Sequence, residues 1–179
     1  MTLHERFVKE IAPALAKEFG LKNRLAVPTI QRVTLSLGVS AKQKDPKFLE
    51  AAEATLARIS GQKPVRTKAK VSISNFKTRK GQVVGLKVTL RGPRMWDFME
   101  KLVAATFPRI RDFRGIPPTC VDHTGNFSYG FTEYLAFPEV RSDEVERVHG
   151  VEVTVSTTAG DRAKGLALFR ALGFPFRNA

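Results

Sequence analysis

Four stretches of this chain alternate apolar with polar residues at a period of two, and that pattern restricts the fold more than any other feature. Val33, Leu35, Leu37 and Val39 alternate with Arg32, Thr34, Ser36 and Gly38. Val65, Ala69, Val71 and Ile73 stand against Arg66, Lys68, Lys70 and Ser72, and Val84, Leu86, Val88 and Leu90 against Lys87, Thr89 and Arg91. Val151, Val153 and Val155 repeat the pattern with Glu152, Thr154 and Ser156. Successive strand side chains point to opposite faces, so each stretch reads as a strand with one dry and one wet face. Strands of that kind suit a mainly antiparallel sheet with helices on one face and the other face exposed. The fold class expected is α+β, a two-layer sandwich.

The helices that would cover the dry face are also legible. Leu3, Phe7, Ile11, Leu15 and Phe19 recur four apart before Gly20, and Pro13 predicts a break near Ala12. Asp45-Pro46 opens a second helix whose buried face holds Phe48, Leu49, Ala52, Leu56 and Ile59, ended by Gly61. Gly92-Pro93 opens a third with Met95, Trp96, Phe98, Met99, Leu102 and Val103, stopped by Pro108. Ala163, Leu166, Ala167 and Phe169 mark a last helix closed by Gly173. Residues 109–126 are expected to form a long, partly mobile loop, and the aromatic-rich segment 127–137 a further strand. With 179 residues, 42% of them hydrophobic, and no linker, repeat or low-complexity tract, 1–179 is expected to be a single domain.

Charge then narrows the function. Residues 61–114 carry 14 Lys and Arg against 3 Asp and Glu, a net +11 out of +13 for the chain. Residues 1–60 carry 10 against 6, and residues 115–179 carry 6 against 8. A one-sided excess of this size is the footprint of a polyanion site. A membrane is the weaker partner: no apolar run approaches the roughly 18 residues of a spanning helix, and the first residues lack a signal peptide's basic and apolar regions. The single Cys120 fits a reducing compartment, so a cytoplasmic location is expected.

The wet strand faces would display Arg32, Thr34, Ser36, Arg66, Lys68, Lys70, Lys87, Thr89 and Arg91. Cations there would neutralise phosphates, and short hydroxyls would reach 2′-hydroxyls or phosphate oxygens. No aromatic platform interrupts these positions, which favours structured RNA read by backbone and shape over a stacked single strand. The plainer reading is a solvated face whose charges keep a sheet edge soluble. The segment 75–81 reads as a basic loop with Lys77, Thr78, Arg79 and Lys80 around Phe76, which either stacks on a second RNA or anchors the loop base.

Little in the chain builds a catalytic site. Cys120 and His123 have a C-x-x-H spacing, but two ligands do not hold a structural zinc. Ser128 lacks the glycine two residues before it that a nucleophile elbow needs. Asp122, Glu133 and Glu139 would serve a magnesium-dependent nuclease only if they converged; as isolated loop and strand-end carboxylates they would be solvated. No enzyme activity, metal or cofactor is expected.

Ser60-Gly61-Gln62-Lys63-Pro64, Lys87-Val88-Thr89-Leu90-Arg91-Gly92 and Pro108-Arg109-Ile110-Arg111-Asp112-Phe113-Arg114-Gly115 closely resemble motifs of the bacterial large-subunit ribosomal protein five family, which holds 5S ribosomal RNA. Gly125-Asn126-Phe127-Ser128, Phe137-Pro138-Glu139 and Phe174-Pro175-Phe176-Arg177 are similar to its later motifs, and the ordered set runs along nearly the whole chain. The resemblance implies a structural protein of the central protuberance that anchors 5S rRNA beside other large-subunit rRNA and proteins. It implies that Gln62, Lys63, Thr89 and Arg91 lie near that RNA, that the loop with Lys77, Arg79 and Lys80 approaches peptidyl-site tRNA, and that about 109–133 bridges to small-subunit protein thirteen. The RNA-binding core would span about 27–92. Ser36 stands where members of the family commonly carry Asn, so an amide contact there would be shortened or replaced. A free-standing nucleic-acid regulator shares the basic patch and is the rival of another class.

Overall fold

A computed structural model describes residues 1–39, 46–140 and 148–177; Asp45, the expected capping residue, lies outside them. The strands are β1 (Ile30–Gly38), β2 (Val65–Lys68), β3 (Val83–Leu90), β4 (Phe127–Phe131) and β5 (Val151–Thr157). They hydrogen-bond in the order β2-β3-β1-β5-β4. Arg32 bonds to Ser156 and Ser36 to Glu152, so along β1 and β5 one number rises as the other falls, the mark of an antiparallel pair. The helices are α1 (Leu3–Arg6), α2 (Ala12–Glu18), α3 (Pro46–Ser60), α4 (Gly92–Lys101) and α5 (Arg162–Ala171). The fold is the expected α+β sandwich with an antiparallel sheet.

The chain divides into two compact units, one of Met1–Val33, Leu90–Tyr129 and Thr154–Ala179, the other of Thr34–Thr89 and Gly130–Val153. In the first, the break expected near Ala12 takes a definite form. A π-helical turn over Phe7–Ile11 joins α1 to α2, and the Ala12 N–H donates to the carbonyl of Phe7, five residues back. Pro13 has no N–H to donate and its ring crowds the carbonyl four residues earlier; widening the preceding turn relieves both while keeping Leu3, Phe7, Ile11 and Leu15 buried. Residues 110–126 contain no strand, but they are tied down. The Ile116 N–H donates to Pro175 O at 2.8 Å, the Arg177 N–H to Ile116 O at 2.9 Å, and the Arg177 guanidinium to Arg114 O at 2.9 Å.

The last helix forms as expected, and its buried face is set by a glycine. Gly165, Leu168 and Phe169 are its buried residues, whereas Leu166 and Ala167 are half-buried and Ala163 is exposed. The cause is a backbone-to-backbone contact: a Cβ on Gly165 would lie 2.5 Å from the Gly125 Cα. The helix turns its side-chain-free position toward that loop, which carries Phe169 onto Phe127 and Phe174 at centroid separations of 5.3 and 5.1 Å.

In the second unit, Leu35, Leu37, Leu86, Val88, Val151 and Val153 are buried, as are Phe48, Ala52, Leu56 and Ile59 of α3. The strand expected over 64–74 stops at Lys68, and the one expected to Phe137 stops at Phe131, followed by a 3-10 turn over Tyr134–Ala136.

Gly165→Ala should destabilise the protein by about 1–3 kcal/mol or more, because the added methyl meets backbone rather than a yielding side chain. Thermal melting beside an exposed control on the same helix, such as Arg170→Ala, checks this.

Candidate nucleic-acid interface

The interface is set by β1. Val33, Leu35 and Leu37 are buried, so Thr34 and Ser36, both half-exposed, are held to the opposite face, with exposed Arg32 earlier on the same strand. On β3, next to it, buried Leu86, Val88 and Leu90 leave Lys87 and Thr89 on the open side. Gly85 is buried there with no room for a side chain: a Cβ would lie 2.6 Å from the Leu37 carbonyl oxygen.

The register of β2 on β3 corrects part of the expected face. Val65 pairs with Lys87 and Arg66 with Leu86. Residues directly opposed share a face, so Arg66 lies with buried Leu86 and Val65 with exposed Lys87, the reverse of the expectation. The Arg66 guanidinium turns to α3, where its Nε and Nη2 donate to the same Glu53 oxygen at 2.9 and 2.7 Å. A shift between Thr67 and Lys68 then brings Lys68 opposite Val83. Lys70 is exposed but lies beyond the strand. Val65, expected in the core, is 67% exposed.

At the corner after α3, Gly61 has φ +63 and the buried Ser60 Oγ lies 2.6 and 2.9 Å from the carbonyl oxygens of Leu56 and Gln62, either of which its single hydrogen reaches. The Gln62 amide donates to Thr89 O at 3.5 Å, and Gln62 and Lys63 are both exposed. Arg91 is exposed, in extended backbone immediately before α4.

The basic loop is part of a wider hairpin. Ile73 and Thr78 exchange backbone hydrogen bonds at 3.0 and 3.2 Å, Lys77 N–H closes onto Ser74 O with φ +50 at Lys77, and the Lys80 N–H donates to Ser72 Oγ at 2.9 Å. Phe76 is 70% exposed, so it does not anchor the loop base; Lys77, Arg79 and Lys80 are exposed beside it. Val71 and Ile73, expected inward on a strand, are exposed as well.

Two groups were outside the site read from the sequence. Glu152 lies on β5 between buried Val151 and Val153, and its carboxylate accepts from the Ser36 hydroxyl at 3.1 Å. Its alternation was visible, but not which strand would neighbour it. The Ser60 hydroxyl had no sequence signal beyond its place ahead of a terminating glycine.

The carboxylate considered for nuclease chemistry is engaged in its own loop. Asp122 accepts from the Thr124 N–H and hydroxyl at 3.0 and 2.8 Å and from the Asn126 N–H at 2.7 Å. Among the described residues no three His, Cys, Asp or Glu side chains are grouped to hold a metal ion.

The family described as ribosomal protein L5 matches residues 23–79, and the one described as the C-terminus of that ribosomal family matches residues 83–176. The protein named large ribosomal subunit protein uL5 of Colwellia psychrerythraea is 45% identical over 175 residues, 98% of this chain and 97% of its own. Its namesake in Fervidobacterium nodosum is 47% identical over 98% of this chain and 95% of its own, and that in Dictyoglomus turgidum 45% identical over 98% of both. The chain belongs to the ribosomal protein L5 family. It is a structural, non-enzymatic constituent of the ribosome.

Burial, the largest single influence on Asp122, raises its pKa, but the hydrogen bonds from Asn126 and Thr124 together outweigh it and leave the carboxyl below its ordinary value. A folded-state pKa below the unfolded one stabilises fully above the unfolded value, about 3.9, and that gain is lost as pH falls through the lower folded value. Asp122→Asn should lower the melting temperature at pH 6 and narrow its gap from the parent as pH approaches 2; melting curves from pH 2 to 6 test this.

Proposed function

We propose that this L5 protein docks 5S rRNA on the open strand face and anchors it in the large ribosomal subunit, the assembly named for its relatives. The observation that carries the reading is the make-up of that face. Thr34, Ser36, Lys87 and Thr89 combine a cation with short hydroxyls, and the corner at 61–64 adds Gln62 and Lys63. The backing of buried apolar residues on the same strands fixes where these groups project. Lys68 and Lys70 lie toward the hairpin, and the other unit carries exposed charge of its own in Arg32 and Arg91. Arg66, ion-paired to Glu53, instead ties β2 to α3.

The hairpin supports a second contact. An exposed Phe76 flanked by Lys77, Thr78, Arg79 and Lys80 suits a nucleotide of peptidyl-site tRNA, with a base on the ring and phosphates on the cations. Residues 109–133, with exposed Arg109, Arg111 and Arg114, form the intersubunit bridge to small-subunit protein thirteen. Neighbouring rRNA and proteins of the subunit complete the partners. Co-sedimentation with large subunits distinguishes this role from a free-standing regulator.

Neutralising roughly six phosphates predicts that log K for 5S rRNA falls with log salt at a slope of about −4 to −5. Arg91→Ala should weaken that binding about tenfold or more, while Arg170→Ala, exposed on α5, should leave it nearly unchanged. Filter binding or fluorescence titration across a salt series reads both; equal losses from the two variants, or equal affinity for tRNA and 5S rRNA, would remove the strand-face assignment.

A further inference from the structure

Glu152 is an acidic group on a face that otherwise displays cations and hydroxyls, and it stands where a phosphate backbone would be repelled. Its carboxylate is exposed, points to the same side as Ser36, and has one oxygen, Oε2, engaged by the Ser36 hydroxyl at 3.1 Å. An ionised carboxylate accepts hydrogen bonds and donates none. Engaged by Ser36, it presents its remaining acceptor capacity on the side of the sheet that also displays Thr34 and Lys87. A phosphate seated against it would be repelled; a neutral O–H or N–H donor would be bound.

We propose that Glu152, positioned by Ser36, is a specificity-determining residue of the RNA-binding face, accepting a hydrogen bond from a ribose 2′-hydroxyl or a base amino group. This rests on the docking face assigned above. Cations attract any polyanion, but a carboxylate among them penalises a bare phosphate backbone and rewards a neutral donor, so it converts charge attraction into a preference for an RNA that presents a 2′-hydroxyl or a base amino group at that point. The short Ser36 O–H suffices as the positioning group because it donates directly to Glu152.

The test uses the full chain, 5S rRNA, and duplex DNA of similar length at one salt concentration. Glu152→Ala should weaken 5S binding and leave DNA binding unchanged or tighter, lowering the 5S-to-DNA affinity ratio about tenfold. Glu152→Gln, which keeps an acceptor oxygen without the charge, should recover part of the 5S affinity. Ser36→Ala should lower the ratio less than Glu152→Ala. On a fully 2′-fluoro 5S transcript, which keeps base donors and lacks sugar O–H groups, the Glu152→Ala penalty vanishes if the partner is ribose and persists if it is a base. Parallel tightening of 5S rRNA and DNA by Glu152→Ala would mean simple repulsion and overturn the proposal, as would no change in either. Parent protein that fails to prefer 5S rRNA over DNA would refute the docking face itself, a result separable from the Glu152 outcome. Circular dichroism melting accompanies each variant, and substitutions at the exposed Glu152 should leave it unmoved.

Discussion

The burial of every second side chain of β1 is the constraint on which the rest of this protein depends. Val33, Leu35 and Leu37 sit in the core on a strand hydrogen-bonded on both sides, to β3 and to β5. Slipping such a strand by one residue would expose all three and bury Arg32, Thr34 and Ser36. The core therefore does more than stabilise: it dictates which polar groups share the open face. The make-up of that face follows from packing on its other side. Gly85 serves the same end from β3, since the space beside the Leu37 carbonyl admits no side chain.

The electrostatics divides into cations that hold the fold and cations that are displayed. Arg66 belongs to the first kind: its two contacts to Glu53 tie β2 to the helix that covers it. Lys87, Lys63 and the hairpin's Lys77, Arg79 and Lys80 belong to the second, exposed on elements whose own hydrogen bonds are already satisfied. A concentration of like charge costs stability through self-repulsion, and its persistence on an exposed face suits a polyanionic partner that neutralises it. Glu152 is then informative because it runs against the local sign.

Sequence reading succeeded where a local period was backed by long-range burial and failed where it was not. In β1 and β3 the alternating residues have a core to enter, so the pattern and the structure agree. The stretch 65–73 has the same alternation, but it leaves the sheet after Lys68, and Val65, Val71 and Ile73 are exposed. Arg66 and Val65 exchanged faces because register on β3, not the sequence of β2, decides which side is dry. The buried face of α5 was not legible for a related reason: it is set by an absent side chain, Gly165 against Gly125, and hydrophobic counting has no way to register a missing atom.

By itself the sequence determined the family, the sandwich of strands and helices, the charge concentrated in residues 61–114, and the Gly61 and Gly92 corners, because each is encoded in neighbouring residues or in an ordered series of motifs. Tertiary structure alone decided that Glu152 meets Ser36, that Arg66 is consumed by Glu53, that Phe76 is displayed, and that Asp122 closes its own loop. The first two join positions 116 and 13 residues apart, and strand order and register bring such partners together. Periodicity along one strand carries no information about the strand beside it, so a binding surface assembled across strands becomes legible only once they are paired.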